Sequence, residues 1–249
     1  MLDRLLPLAA SEHAAEFDAV LNAVHLHIAI QALAWGAFFI YCVIRFRHRV
    51  HPEPSQTGLN PALPILAIAL VIAGDAVLLA TTALPVWMKR ATPPATLETP
   101  FEVRVVAEQF AWNVHYTGPD GRFGTTSTAL ISAANPLGID RASDSGADDI
   151  GLQNVLNVPV NRPVIVHLTS RDVVHSFTLN EMRVRQDATP GLPVRTWFTP
   201  TTTGRWEIGC SQLCGLGHYR MRGAFAVLSA DEWADWQARE VALIPADRR

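Results

Sequence analysis

Two long apolar runs constrain this chain more than any other feature. The first covers 23–44 and stops at Arg45, Arg47 and Arg49; the second covers 64–87 and stops at Lys89 and Arg90. As a helix, either run spans about 30 Å, the hydrocarbon thickness of a bilayer. The pattern predicts helices over about 23–45 and 64–87, paired as a transmembrane hairpin within residues 1–91. Composition agrees, with 49% hydrophobic and only 17% charged residues and a mean hydropathy of +0.16. Between the runs, 45–60 carries three Arg, two His and a single Glu. The positive-inside rule therefore assigns this segment to the cytoplasm and both chain ends to the outside. Trp87 falls where an interfacial aromatic is expected, whereas Trp35 falls mid-helix. A net charge of −3 without any Lys/Arg-rich stretch excludes nucleic acid as a partner. Residues 1–10, with Asp3 and Arg4, lack the charged start of a secretory leader.

Asp75 lies in the middle of the second run. An ionisable group at that depth is costly and faces protein or water. It is expected either on a proton pathway or, more simply, hydrogen-bonded against a partner subunit. His25 and His27 point to different faces of the first helix and are expected near its outer end rather than as heme ligands.

A proline-rich linker, 92–100, separates this hairpin from a region of different period. Segments 101–106, 155–160, 163–168, 194–198, 206–208 and 224–228 are short, apolar and strand-like, with turn signals between them. Residues 101–249 are accordingly expected to form an all-β sandwich or barrel. The Gly/Ser/Asp-rich stretch between Tyr116 and Gln153 is expected to be a long surface loop. Ser229-Ala-Asp-Glu232 forms a capping box ahead of Trp233 and Trp236, predicting a short C-terminal helix.

Three cysteines occur, Cys42, Cys210 and Cys214, which do not form a disulfide framework. Cys42 sits in the first apolar run, where a lone thiol is a small hydrophobe. Cys210 and Cys214 belong instead to Cys210-Ser-Gln-Leu-Cys214-Gly-Leu-Gly-His218-Tyr-Arg-Met221. This stretch holds two thiols, an imidazole and a thioether within one turn-rich loop, and Gly215 and Gly217 free the backbone to fold it back. Soft sulfur ligands with imidazole favour copper, although Cys-x-x-x-Cys-x-x-x-His also suits structural zinc. Two thiolates favour a two-copper cluster over a mononuclear blue site, which needs one. His175, in Asp172-Val-Val-His-Ser-Phe177, is the best remote ligand, while His115 and His167 are expected to be ordinary core or surface histidines.

The order of these motifs resembles cytochrome c oxidase subunit II over essentially the whole chain. The copper loop is similar to the family's Cys-Ser-Glu-x-Cys-Gly-x-x-His-x-x-Met. The 172–177 segment resembles Asp-Val-x-His-Ser-Trp/Phe, and Asp187-Ala-Thr-Pro-Gly191 resembles Asp-Ala-x-Pro-Gly. Gln109-Phe-Ala-Trp-Asn113 resembles the family's early aromatic segment and is similar to a caa-type branch. The resemblance implies a cupredoxin-like Greek-key sandwich holding a dinuclear copper centre, CuA. Cys210 and Cys214 would bridge the coppers, and His175 and His218 would bind one each. Met221 and the Gln212 carbonyl would be weak ligands. Electrons from cytochrome c would pass onward to heme in subunit I, where oxygen reduction drives proton pumping. Subunit I and other oxidase subunits would be the partners, in a bacterial inner membrane with the copper domain on the periplasmic side. No Cys-x-x-Cys-His motif occurs, so a separate cytochrome c-type donor is expected.

Three departures stand out. Gln212 replaces the family's Glu, whose side chain helps hold magnesium or manganese at the subunit I border, putting that ion in doubt. Phe110 stands where many members carry the Trp that receives electrons. Thr57 aligns with a carboxylate found at a proton-channel mouth. Phe110 and Trp112 are expected two apart on one strand face, as the electron-accepting aromatics; alternatively, Trp112 is sandwich core. Asp120, Asp144, Asp148 and Asp149 are expected to steer a basic donor from the long loop. A copper-free quinol oxidase subunit, a nitrous oxide reductase-type copper domain and a membrane-anchored copper carrier or zinc domain are the competing readings.

Overall fold

The computed structural model describes residues 5–47, 58, 60–93, 99–143 and 145–244. Thr57, Asp144, residues 48–56 and most of the linker lie outside the described residues. The chain divides into two compact units: 1–5 with 16–89, and 6–15 with 90–249.

In the first unit, α1 (Ala14–Arg45) is longer at its outer end than the apolar run predicts. The second helical stretch runs as α2 (Ala62–Leu78), a π-helical turn (Leu79–Ala83) and α3 (Leu84–Arg90). Both stretches are long and apolar enough to cross a membrane. Thr81 and Thr82 donate their hydroxyls to the carbonyls of Val77 and Leu78 around the π turn, a side-chain insertion of the kind that widens a helix. Lys89 pairs with Glu16 at 2.5 Å, tying the hairpin's two outer ends. His25 turns back onto the Leu21 carbonyl at 2.7 Å. His27, expected near the interface, instead meets Asp75 at 2.8 Å across the two helices.

The second unit is a sandwich of two five-stranded sheets. One sheet comprises β1 (Phe101–Glu108), β2 (Ala111–Tyr116), β3 (Ile150–Gln153), β5 (Val164–Ser170) and β8 (Val194–Phe198), in the order β3-β2-β1-β5-β8. The other comprises β4 (Val155–Pro159), β6 (His175–Leu179), β7 (Val184–Ala188), β9 (Gly204–Cys210) and β10 (Arg222–Leu228), in the order β4-β10-β9-β6-β7. Pairs β1/β5 and β4/β10 are parallel, and the remaining neighbours antiparallel. Alternation along β1 sends Val103, Val105 and Ala107 inward, where they join Trp112, Val114, Val166, Phe177, Ile208 and Phe225 in one core.

Helix α4 (Ala230–Leu243) closes this unit. The Ser229 hydroxyl accepts from Glu232 N–H, while the Glu232 carboxylate accepts from Ser229 N–H, completing the expected capping box. Those same contacts, led by the backbone one, hold the Glu232 carboxyl below its ordinary range. Trp233 and Trp236 are buried beneath α4.

Two features depart from the sequence expectation. Residues 6–15 belong with the sandwich, so the division of the chain does not fall simply at the proline-rich linker. Ala10 N–H donates to the Glu181 carbonyl, and the Ser11 hydroxyl donates to Met182 O at 2.9 Å. The long 117–149 loop is anchored rather than wholly superficial: Leu137 and Ile139 are buried in it.

Candidate metal centre

Strand pairing builds the site. β6 begins at His175 and pairs with β9, which ends at Cys210, through Phe177 opposite Cys210. The loop 211–221 then returns the chain into β10, antiparallel to β9. The sheet thereby carries His175 and Cys210 on neighbouring strands, and the loop supplies every other donor.

The sulfur and nitrogen atoms converge. Sγ of Cys210 and Sγ of Cys214 are 3.8 Å apart, and Nδ1 of His218 is 3.5 Å from the Cys214 sulfur. On the other side, Nδ1 of His175 lies 3.1 Å from Sδ of Met221, itself 3.8 Å from the Cys214 sulfur. The Cys210 thiol donates to the Gln212 carbonyl at 3.2 Å. Ligand atoms of His175, Cys210 and Cys214 all fall within 4.8 Å of one another. All six residues singled out in the sequence thus occupy one connected cluster.

Burial sets the protonation of this cluster without metal. Desolvation, with the neighbouring Cys210 thiol, pushes the Cys214 thiol up to about 11. A cation binding there must displace a proton. Two facing thiols, two imidazole nitrogens directed at sulfur and a buried thioether fit a soft, redox-active ion better than a hard one.

Asp172 and Gln109 are positioning groups that offer no ligand atom of their own, which is why the sequence pattern of donors does not single them out. Asp172 Oδ1 is 2.9 Å from Nε2 of His175, which leaves Nδ1 facing the sulfurs. The Asp172 carboxylate also accepts N–H bonds from Gln109 and Val173, both at 2.7 Å. Partial burial pushes its carboxyl up, but the bonds from His175 and those amides outweigh this and hold it below the usual range. The Gln109 side chain donates to the Cys214 carbonyl at 2.6 Å, so one residue links both ligand-bearing loops. Its signal was its place at the head of the aromatic motif.

The two loop glycines act differently. Gly215 adopts φ +134, a conformation other residues rarely take. Gly217 has φ −92 and is needed instead for space, since a Cβ there would lie 2.4 Å from the Phe110 ring.

Residues 102–227 match the protein family described as "Cytochrome C oxidase subunit II, periplasmic domain". An alternative cytochrome c oxidase subunit 2 of Bradyrhizobium diazoefficiens is 36% identical over 203 residues, covering 80% of this chain and 71% of that one. This chain belongs to the cytochrome c oxidase subunit II family. Subunit 2 of Cereibacter sphaeroides is 29% identical over 211 residues, covering 80% of this chain and 68% of that one. The periplasmic domain of a Bradyrhizobium japonicum subunit II aligns at 30% identity with a TM-score of 0.43, covering 61% of this chain and 99% of that one. As a family member, the chain is a respiratory oxidase subunit, a membrane protein with a periplasmic domain.

Several expectations about this subunit II's surface need correction. Phe110 is not on a strand face with Trp112: it precedes β2 in a turn and lies against the copper loop, with the Arg220 guanidinium 5.9 Å from its ring centre. Trp112 is fully buried, so the alternative placement in the core holds. Asp149, expected to be a steering charge, is also fully buried. Its carboxylate meets His115 Nε2 at 2.5 Å and accepts N–H bonds from Gly118 and Gly124. Asp148 is half-buried and accepts the Asp120 N–H. Only Asp120 among the described steering candidates is exposed. The loop's acids fold it onto the sheet because backbone amides in a glycine-rich segment need acceptors. Their clustering in sequence conceals this.

Proposed function

We propose that this chain is the electron-accepting subunit of a bacterial cytochrome c oxidase, with two coppers held by Cys210, Cys214, His175, His218, Met221 and the Gln212 carbonyl. The single observation carrying this reading is the convergence of both thiols with two imidazole nitrogens and the Met221 thioether. Copper bound there supplies one-electron redox chemistry. The chain's own residues hold the ligand atoms in place before metal arrives. Asp172 orients the His175 ring, and Gln109 ties the Cys214 backbone to the strand that precedes it. Such preorganisation limits structural change on electron transfer.

A separate c-type cytochrome reduces the site, and a heme in subunit I receives the electron for oxygen reduction and proton pumping. Leu213, Leu216 and Tyr219 surround the ligand loop at 75%, 98% and 75% exposure. With Phe110 against Gly215 and Gly217 of the same loop, they form an apolar docking rim for the donor, in place of the acidic loop expected from sequence. Phe110 remains the electron-accepting aromatic in this reading because its ring touches the loop bearing Cys214. Gln212 is exposed and bears an amide where a carboxylate would hold a hard ion, so magnesium or manganese is not assigned.

Metal analysis and EPR of the full chain in detergent test this reading. The expected result is two coppers per chain, with one unpaired electron shared over two nuclei, and loss of that signal in Cys214→Ser. A single-copper spectrum, or zinc in place of copper, overturns it.

A further inference from the structure

The strongest unassigned feature is a polar cluster halfway along the hairpin. Asp75 is about 20 Å from either end of the continuous 62–90 helical stretch, and His27 is about 20 Å from the outer end of α1. Both therefore sit at hydrocarbon depth. His27 Nε2 is 2.8 Å from Asp75 Oδ1, and the Gln31 side-chain nitrogen is 2.7 Å from the same His27 nitrogen. Gly74 makes room for this pairing: a Cβ there would lie 2.7 Å from His27 Cε1.

The cluster leaves one requirement unmet within the hairpin. Gln31 closes on the imidazole and not on the carboxyl, so Asp75 has His27 alone as a side-chain partner among the described residues. The Asp75 side chain is 60% exposed, against 24% for His27. Ile72 and Leu79, at three and four residues' spacing from Asp75, are 62% and 52% exposed on the same side. A carboxyl turned toward acyl chains finds no hydrogen-bonding group there, whereas the flanking apolar side chains suit lipid or a helix equally. Chemistry at Asp75 decides between them.

We infer that the Ile72–Asp75–Leu79 face receives a transmembrane helix of a partner oxidase subunit, which presents a hydrogen-bond-donating side chain to the open oxygen of Asp75. The inference rests on the subunit II reading but names the docking face and the chemistry it demands. His27, itself held by Gln31, fixes the carboxyl from within the hairpin, so the donor must approach from outside it. A helix carrying Ser, Thr, Asn, Tyr, Trp, Lys or Arg at the contact meets the requirement; a wholly aliphatic one does not.

A hydrophobic carbodiimide, which labels carboxyls accessible from the bilayer, provides the test. Membranes holding the intact oxidase are compared with membranes holding this chain without its partners, and labelling at Asp75 is read by mass spectrometry. Asp75→Asn serves as the unlabelled control. Labelling at least tenfold lower in the intact oxidase supports the inference. Equal labelling in both overturns it, because Asp75 then faces lipid. Absence of labelling in the lone chain also overturns it, since the hairpin or a second copy would already cover the group. As a second measure, Asp75→Leu is expected to lower co-purification with partner subunits about tenfold while Asp75→Asn retains it; equal recovery of both counts against the inference. Copper content of the same samples separates the two readings. A copper-loaded complex with Asp75 freely labelled sinks only the docking face, whereas a copper-free chain without partners sinks the electron-accepting reading.

Discussion

The sandwich contains the same side-chain pair twice, with opposite consequences. At the copper loop, His175 meets Asp172 through Nε2 and turns Nδ1 toward sulfur. Under the 117–149 insertion, His115 meets Asp149, whose carboxylate is otherwise engaged by the amides of Gly118 and Gly124. The first pair is open on one side and prepares a ligand. The second closes upon itself and pins a loop to the sheet. Both histidines are essentially buried, at 0% and 1% exposure, so burial does not distinguish ligand from staple. The difference lies in what the imidazole faces beyond its aspartate. Sulfur beyond it suits a metal; the amides of two glycines on the aspartate make an anchor.

Breaking each pair is the sharpest way to test this comparison. His175→Ala is expected to abolish the two-copper EPR signal while lowering the Tm of the metal-free protein less than loss of the closed pair does, because Asp172 stays partly exposed. Retention of the full signal would remove His175 from the ligand set. Asp149→Ala is expected to do the reverse. Breaking a buried pair costs about 3 kcal/mol or more, which lowers Tm by roughly 10 °C for a domain of this size. Copper content should stay intact once the protein is folded. An unchanged Tm would mean that the insertion is held by its apolar contacts at Leu137 and Ile139 instead.

A milder change probes orientation. In Asp172→Asn the ring keeps a partner but loses the carboxylate that fixes its tautomer, and comparable outer contacts are worth about 10–100-fold in metal affinity. Competition with a copper chelator should show that loss with little change in Tm. The smallest expected effect lies beside the closed pair. Tyr116 follows His115 on β2, and burial pushes its hydroxyl well above the ordinary value of 10, while Asn157 N–H donates to its oxygen. A group raised on folding contributes stability that is full below its unfolded value and is lost as pH rises beyond it. Thermal stability should therefore fall above about pH 10, and Tyr116→Phe should flatten that decline. An equal decline in the variant would assign it to other groups.

Legibility followed how far apart in sequence the interacting groups lie. The hairpin was visible because crossing a bilayer requires about twenty consecutive apolar residues, and local composition alone satisfies this. The capping box at Ser229 and Glu232 was visible because both partners lie within one helical turn. The metal loop was visible because Cys210, Cys214, His218 and Met221 crowd into one segment. His175 was identified by its motif, but only the β6/β9 pairing brings it beside Cys210.

Tertiary structure alone decided the rest. The acidity of 117–149 indicated a solvated surface, yet carboxylates serve equally as acceptors for buried amides, and Asp149 does so. Phe110 and Trp112 are two residues apart, but a turn before β2 separates their environments, sending one to the copper loop and the other to the core. Residues 6–15 join the sandwich through backbone bonds near Glu181 and Met182, more than 160 positions away. His27 finds Asp75 across 48 positions because two helices pack where Gly74 lacks a side chain. Sequence by itself determined the hairpin, the capped helix, most of the strands and the donor atoms, since each depends on near neighbours. Which side chains remain open to a metal, a donor or a partner helix depends on long-range pairing, which only the folded chain supplies.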